Sequence, residues 1–273
     1  MRRVRGDGVE LAVADEGDGH PVLLIHGFPD SSHLWRHQVR ALVDAGYRAI
    51  APDLRGFGDS DRPSDVRAYG VRHSVADMLA VLDALEVERA HVVAHDWGAS
   101  VGWALAGFEG ERVERFVVLS AGHPNSLRRP SLEQRERGWY QLLFQFEGVA
   151  EELLMRDDWR LLREWTRGDG DVERNVAALS RPGALTAALN WYRASARPDQ
   201  ELRERPPFPS VAAATLGLWS DCDHYLVEDG MRGSGEYVAG EWRYERVAGA
   251  SHWMQLDAPE RVNELLLEWL ARA

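Results

Sequence analysis

The chain has 273 residues, 45% of them hydrophobic, enough for one sizeable core or a core carrying an insertion. Its net charge of -12 and the absence of a basic run argue against a nucleic acid or an anionic membrane as partner. One cysteine, Cys222, excludes an internal disulfide and a cysteine-based metal site.

All 32 basic residues are arginine, a bias read as that of a GC-rich genome. The start of the chain, Met1 to Asp7, is basic but has no apolar stretch behind it, so no signal peptide is expected. No segment reads as a membrane span, and the expected compartment is the cytoplasm.

In chain order, Pro21–Ile25 reads as a buried strand ending at His26-Gly27. Trp35–Ala45 reads as a helix stopped by Gly46. Tyr47–Ala51 is the next strand. Ser74 and Asp77 suggest a capping box, with Val75, Met78, Leu79 and Leu82 at helical spacing behind it. The strand Val92–His95 follows, then a sharp turn, a helix from Gly98, and a strand over Phe116–Leu119. From Ser131 to Ala196 the pattern is helical, punctuated by Gly148, Gly168, Gly170 and Pro182. The Pro-rich stretch 205–209 closes that part. Strand signals return at Thr215–Trp219 and Tyr244–Val247. The last helix places Val262, Leu265, Leu266, Trp269 and Leu270 on one face. Alternating strands and helices predict an α/β fold, a mostly parallel sheet with helices on both faces and an inserted helical lid. The expected division is a core of 1–125 and 208–273 and a cap of 126–207. No internal repeat or low-complexity tract is visible.

The turn after Val92–His95 carries the chemistry. Ala94-His95-Asp96-Trp97-Gly98 has the small-x-nucleophile-x-Gly pattern of a strand-to-helix elbow, with an aspartate where a serine is usual. A serine attacking saturated carbon would leave an ether that water does not readily cleave. A carboxylate leaves an ester, which an activated water hydrolyses. Asp96 therefore predicts displacement at carbon. Ser100, in Gly98-Ala99-Ser100-Val101-Gly102, also fits the serine formula, but it lies a helical turn past the strand end. His252 follows the last predicted strand, at the carboxyl edge where open α/β sheets place their sites. The acid that orients it should follow the preceding strand. There Asp223 is preferred, because a position further past the strand end can reach back, and Asp221 is the second candidate.

With these residues in hand, the chain resembles an α/β-hydrolase of the soluble epoxide hydrolase type. The resemblance rests on His26-Gly27-Phe28-Pro29, Arg55-Gly56-Phe57-Gly58-Asp59-Ser60, His95-Asp96-Trp97-Gly98, Trp219 to Asp223, and His252-Trp253. Haloalkane and haloacid dehalogenases share these core motifs. The lid discriminates, because Tyr140-Gln141-Leu142-Leu143-Phe144-Gln145 and Asn190-Trp191-Tyr192-Arg193 resemble the segments with the two proton-donating tyrosines of epoxide hydrolases. A phenol of pKa about 10 stays protonated at neutral pH and can donate to an alkoxide, whereas a departing halide needs no proton. Fluoroacetate-type dehalogenases carry an arginine just after the nucleophile, where this chain has Trp97.

The resemblance implies attack by Asp96, water activated by His252 with Asp223, and protonation by Tyr140 and Tyr192. It also implies an oxyanion hole from the Phe28 and Trp97 N–H groups and a cis bond before Pro29. Gln141, Phe144, Trp191 and Trp253 are the expected substrate contacts. The expected partners are a small apolar epoxide and water, with no metal and no organic cofactor. Monomer and homodimer both remain open. A hydrolytic dehalogenase and a non-catalytic ligand-binding protein of the same fold are the competing readings. His33 and His37 have ligand spacing but lack the glutamate of a zinc helix, and His26 and His95 read as walls or backbone supports.

Overall fold

A computed structural model describes residues 1–197, 199 and 206–272. Among them, eight strands form one sheet: β1 (Arg2–Arg5), β2 (Glu10–Glu16), β3 (His20–Ile25), β4 (Tyr47–Pro52), β5 (Ala90–His95), β6 (Val113–Leu119), β7 (Ala214–Ser220) and β8 (Trp242–Val247). Their spatial order is β1-β2-β4-β3-β5-β6-β7-β8. The β1–β2 and β2–β4 pairs are antiparallel, and the others are parallel. β5 is buried at all six positions, as expected of a strand covered on both faces.

The helices of the core are α1 (Arg36–Asp44), α2 (Val71–Ala84) and α3 (Trp97–Phe108). The inserted ones are α4 (Leu132–Arg137), α5 (Tyr140–Leu143), α6 (Val149–Thr166), α7 (Val172–Leu179) and α8 (Ala184–Ser195). After β7 come α9 (Glu228–Arg232), α10 (Met254–Asp257) and α11 (Pro259–Leu270). α1 packs on α11 and α2 on α3, so each sheet face has its helical layer. The apolar face read on α11 is buried at all five positions. No helix of the described residues is long and apolar enough to cross a membrane.

The sheet is wider than the expected strands. β1 is an edge strand of sequence Arg-Arg-Val-Arg, exposed except at Val4, and has no apolar period to reveal it. The capping box at Ser74 is not formed. α2 starts at Val71 behind Gly70, so Ser74 lies inside the helix, and Asp77 is committed elsewhere. Its carboxylate receives both arms of the buried Arg55 guanidinium, at 2.7 and 2.8 Å. Arg55 also donates to the Ala68 and Asp7 carbonyls, so this buried charge is both paired and hydrogen-bonded. Of the Pro-rich stretch 205–209, Arg205 lies outside the described residues, and 206–209 has no regular structure.

α4 to α8 all lie between β6 and β7. α6 is broken at Arg156–Trp159, where Asp157, Asp158 and Trp159 have positive φ. Its second half buries Trp159 and Leu162 and brings Trp165 against Tyr140, with ring centroids 4.5 Å apart. Arg193 of α8 pairs with Glu151 of α6 through two buried contacts of 2.8 and 2.9 Å and donates to the Phe144 carbonyl at 2.9 Å. These bonds fix the neighbours Tyr192 and Phe144.

Candidate active site

Because β3, β5, β7 and β8 are parallel, the loops after them open at one sheet edge. They bring Phe28, Asp96, Asp223 and His252 together. Asp96 sits between β5 and α3 at φ 54° and ψ -121°, a rare conformation for a residue other than glycine. The elbow needs two glycines. A Cβ on Gly98 would lie 2.2 Å from the Ile25 carbonyl, and one on Gly27 would lie 2.3 Å from Asp96 Oδ1. With neither present, β3, α3 and the carboxylate pack directly on one another.

Asp96 Oδ1 accepts the Phe28 N–H at 2.8 Å, and the Trp97 N–H lies near enough to favour the charged carboxylate. Asp96 Oδ2 lies 3.5 Å from His252 Nε2. On its other side, His252 Nδ1 meets Asp223 Oδ2 at 2.8 Å. Asp223 Oδ1 accepts the Tyr225 and Leu226 N–H groups at 2.8 and 3.0 Å, which locks its rotamer. Asp221 instead sits at the surface and accepts the Gly249 N–H at 2.6 Å. The bond between Phe28 and Pro29 is cis.

Burial disfavours charge on all three groups, but their mutual attraction wins. His252 is opposed by desolvation yet pushed up to about 10 by Asp223 and Asp96. Asp96 and Asp223 are likewise opposed by burial, yet both are held below the usual carboxylate range by His252. The resting arrangement is an imidazolium between two carboxylates.

Above Asp96 lies an aromatic box. Tyr140 and Tyr192 are buried, with ring centroids 5.8 Å apart and ring planes at 82° to one another. Burial raises both phenols, and the nearby Asp96 charge raises them further, so both keep their protons at neutral pH. Gln141 beside Tyr140 and the Trp97 indole beside Tyr192 oppose part of that rise, and the Trp97 and Tyr192 rings meet edge to face at 5.1 Å. Phe144 faces Tyr192 at 5.0 Å and Phe28 at 5.8 Å. Trp191 is fully buried, donates its indole N–H to the Arg55 carbonyl at 3.0 Å, and packs on the Trp97 ring. Trp253 packs on His252 at 5.2 Å, but its indole N–H points to Asp30, at 2.8 Å. Trp139 and Phe146 are exposed.

His95 Nε2 and the Ser120 hydroxyl both reach the His252 carbonyl, at 2.9 and 3.1 Å, and hold that loop. His26 supports the other side, accepting the Leu54 N–H at Nε2. Three residues of the neighbourhood have no strong linear signal. Trp165 and Tyr225 complete the aromatic box, at 4.5 and 6.0 Å from Tyr140. Asp30 is buried between Trp253 and Asn175 of α7, and its carboxyl is pushed up to about 7, mainly by burial. Of these, Tyr225 could have been read from its place two residues after Asp223, where a backbone N–H caps an aspartate. A cleft of about 990 Å³ opens beside Pro29, lined among others by Asp30, Arg36, Asp53, Arg174 and Asn175. Asp96, His252 and the two tyrosines are not among its walls.

The edge thus assembles a carboxylate, an imidazole backed by a second carboxylate, two protonated phenols and two converging backbone N–H groups. The alpha/beta hydrolase fold family matches this chain over residues 20–259. The chain belongs to that family, in its epoxide hydrolase type. Epoxide hydrolase A of Mycobacterium tuberculosis (strain ATCC 25618 / H37Rv) is 32% identical, covering 98% of this chain and 96% of that protein. The AB hydrolase superfamily protein YfhM of Bacillus subtilis (strain 168) is 33% identical, over 98% of this chain and 96% of its own length. A crystal structure of Bacillus megaterium epoxide hydrolase in complex with an inhibitor superposes with a TM-score of 0.90 at 27% identity, covering 99% of this chain and 100% of that one. The Asp96 elbow and the His252 loop lie at the carboxyl edge of the sheet, where open α/β sheets place their sites.

Proposed function

We propose that this enzyme hydrolyses a small, mostly apolar epoxide to a vicinal diol through an ester on Asp96. The observation that carries the reading is the pair of buried phenols, ring centroids 5.8 Å apart, beside a carboxylate whose Oδ1 is held by the Phe28 N–H. In the first step Asp96 Oδ2 attacks an epoxide carbon, the carbon–oxygen bond opens, and a proton from Tyr140 or Tyr192 passes to the ring oxygen. In the second, His252 gives its resting proton to the tyrosinate left by the first step, and the neutral imidazole, oriented by Asp223, then takes a proton from water. The hydroxide adds to the Asp96 carbonyl, and the oxyanion rests against the Phe28 and Trp97 N–H groups. Collapse breaks the ester, the remaining proton of the attacking water passes to the departing oxygen, and the diol leaves with the carboxylate, the tyrosine and the imidazolium all restored. The net reaction adds one water to one epoxide.

Phe144 and Gln141, with the unanticipated Trp165, form the substrate wall. Trp191 and Trp253 act from behind it, through Trp97 and His252. Residues 126–207 serve as a cap over a core of 1–125 and 208–273.

The test is a diol and halide screen across aryl and alkyl epoxides and haloalkanes, followed by one turnover in ¹⁸O-water. Diol formation with heavy oxygen on the Asp96 peptide is expected. Halide release with no diol from any epoxide would replace this reading with a hydrolytic dehalogenase. Diol formation with no label on Asp96 would exclude the covalent route.

A further inference from the structure

At the opposite edge of the sheet, the amino-terminal ends of three adjacent parallel strands converge on a second cluster. His20 opens β3, His91 is the second residue of β5, and Glu114 is the second residue of β6. These strands are neighbours in the order β3-β5-β6. One ligand atom from each residue lies within 4.8 Å of the others. His20 Nε2 is 2.7 Å from Glu114 Oε2, and His91 Nδ1 is 3.7 Å from the same oxygen. The two imidazoles lie 4.5 Å apart.

An ordinary ion pair accounts for His20 and Glu114, since both are partly exposed. It does not account for His91. That residue is 7% exposed, and its Nδ1 has no hydrogen-bond partner, although buried polar atoms are nearly always satisfied. The nitrogen faces a carboxylate oxygen too distant to bond.

We propose that His20, His91 and Glu114 bind a divalent transition-metal ion of the zinc class. Two imidazoles and a carboxylate are a zinc ligand set, and ligands about 2.0 Å from a tetrahedral ion lie about 3.3 Å from each other. The 2.7 Å contact has to open and the 3.7 Å contact to close, each by about half an ångström, and the two histidine nitrogens, within 4.8 Å of each other, have to close by up to about 1.5 Å on that geometry. The exposed side of His20 leaves room for entry and for water as the fourth ligand. Arg89 and Arg115 are close enough to repel positive charge at His91, and this keeps the affinity moderate. The ion pins three strand starts together. Five residues of strand, about 16 Å, separate His91 from Asp96, so epoxide turnover does not depend on it.

Untagged, metal-stripped protein in a Cys222→Ser background is titrated with zinc chloride by calorimetry, and cobalt(II) is used as a visible-absorption reporter. One zinc per chain is expected, with a melting temperature that rises with zinc and a cobalt band typical of low coordination number. Glu114→Gln and His20→Ala are expected to weaken zinc at least tenfold and lose the band, with epoxide turnover unchanged. Because His91 is buried, His91→Gln is tested by binding only after its circular dichroism matches the parent. His33→Ala with His37→Ala is expected to leave zinc binding intact. Absence of a one-to-one isotherm in the parent, or zinc binding lost only with His33 and His37, overturns the proposal.

Discussion

Replacing His252 by glutamine is expected to trap an alkyl ester on Asp96 and to lower steady-state turnover about 10³- to 10⁴-fold. Ester formation needs a charged carboxylate and a proton donor, the roles proposed for Asp96 and the two tyrosines, which this substitution leaves in place. Ester hydrolysis needs a base beside the ester, and the histidine 3.5 Å from Asp96 Oδ2 fills that place. The electrostatics time its action. In the resting enzyme, desolvation is outweighed by Asp223 and Asp96, and the imidazole is pushed up to about 10. Once Asp96 is an ester, one of those two negative charges is gone, and the imidazole gives up its proton more readily. It becomes a base at the step that requires one. Glutamine retains the bulk and a hydrogen bond toward Asp223 but has no basic nitrogen. Intact-mass spectrometry after mixing with an aryl epoxide should show an adduct of the epoxide's mass, mapping to the Asp96 peptide. Turnover at the parent rate, or an unmodified peptide with a confirmed substrate, would sink the assignment.

The second large effect is expected at the lid. Tyr140→Phe combined with Tyr192→Phe should slow epoxide opening by about 10⁴-fold, within the range for loss of a general acid. Each phenol alone should cost far less, because the two rings lie 5.8 Å apart at the same site and the remaining hydroxyl can donate. The rings pack against Trp165, Phe144, Trp97 and Phe28, and phenylalanine preserves that packing. Folding is therefore expected to persist, and the defect should appear in stopped-flow formation of the ester while its hydrolysis stays fast. Parent rates of ester formation in the double variant would refute the lid assignment.

The parts of the site that were legible in the sequence are those with local causes. The Asp96 elbow is spelled by small residues on either side of one turn, and His252 by its place after a strand. The choice between Asp223 and Asp221 depended on a few ångströms past a strand end, and burial separates them. Asp223 has its two N–H donors from the next turn, whereas Asp221 turns out to the Gly249 backbone. Trp165 was not legible, because a helix rich in Trp and Leu looks the same whether its face meets a core or a substrate. Its place follows from the break at Arg156–Trp159, which no sequence period announces. Ser74 misled for a related reason. A capping residue is recognised by what surrounds it, and the burial of Arg55 recruits Asp77 into a different partnership.

The unequal treatment of the two Asp96 oxygens has an isotopic consequence. Oδ1 is held by the Phe28 N–H, while Oδ2 faces His252 and is free to attack. Under the proposed mechanism the diol leaves with the old Oδ2, and water supplies its replacement. A carboxylate that cannot flip has one atom that is renewed at every cycle and one that is never renewed. After many turnovers in heavy water-oxygen, the Asp96 peptide should carry a single heavy atom and not a pair. The enzyme would keep, in half of one side chain, the oxygen with which it was made.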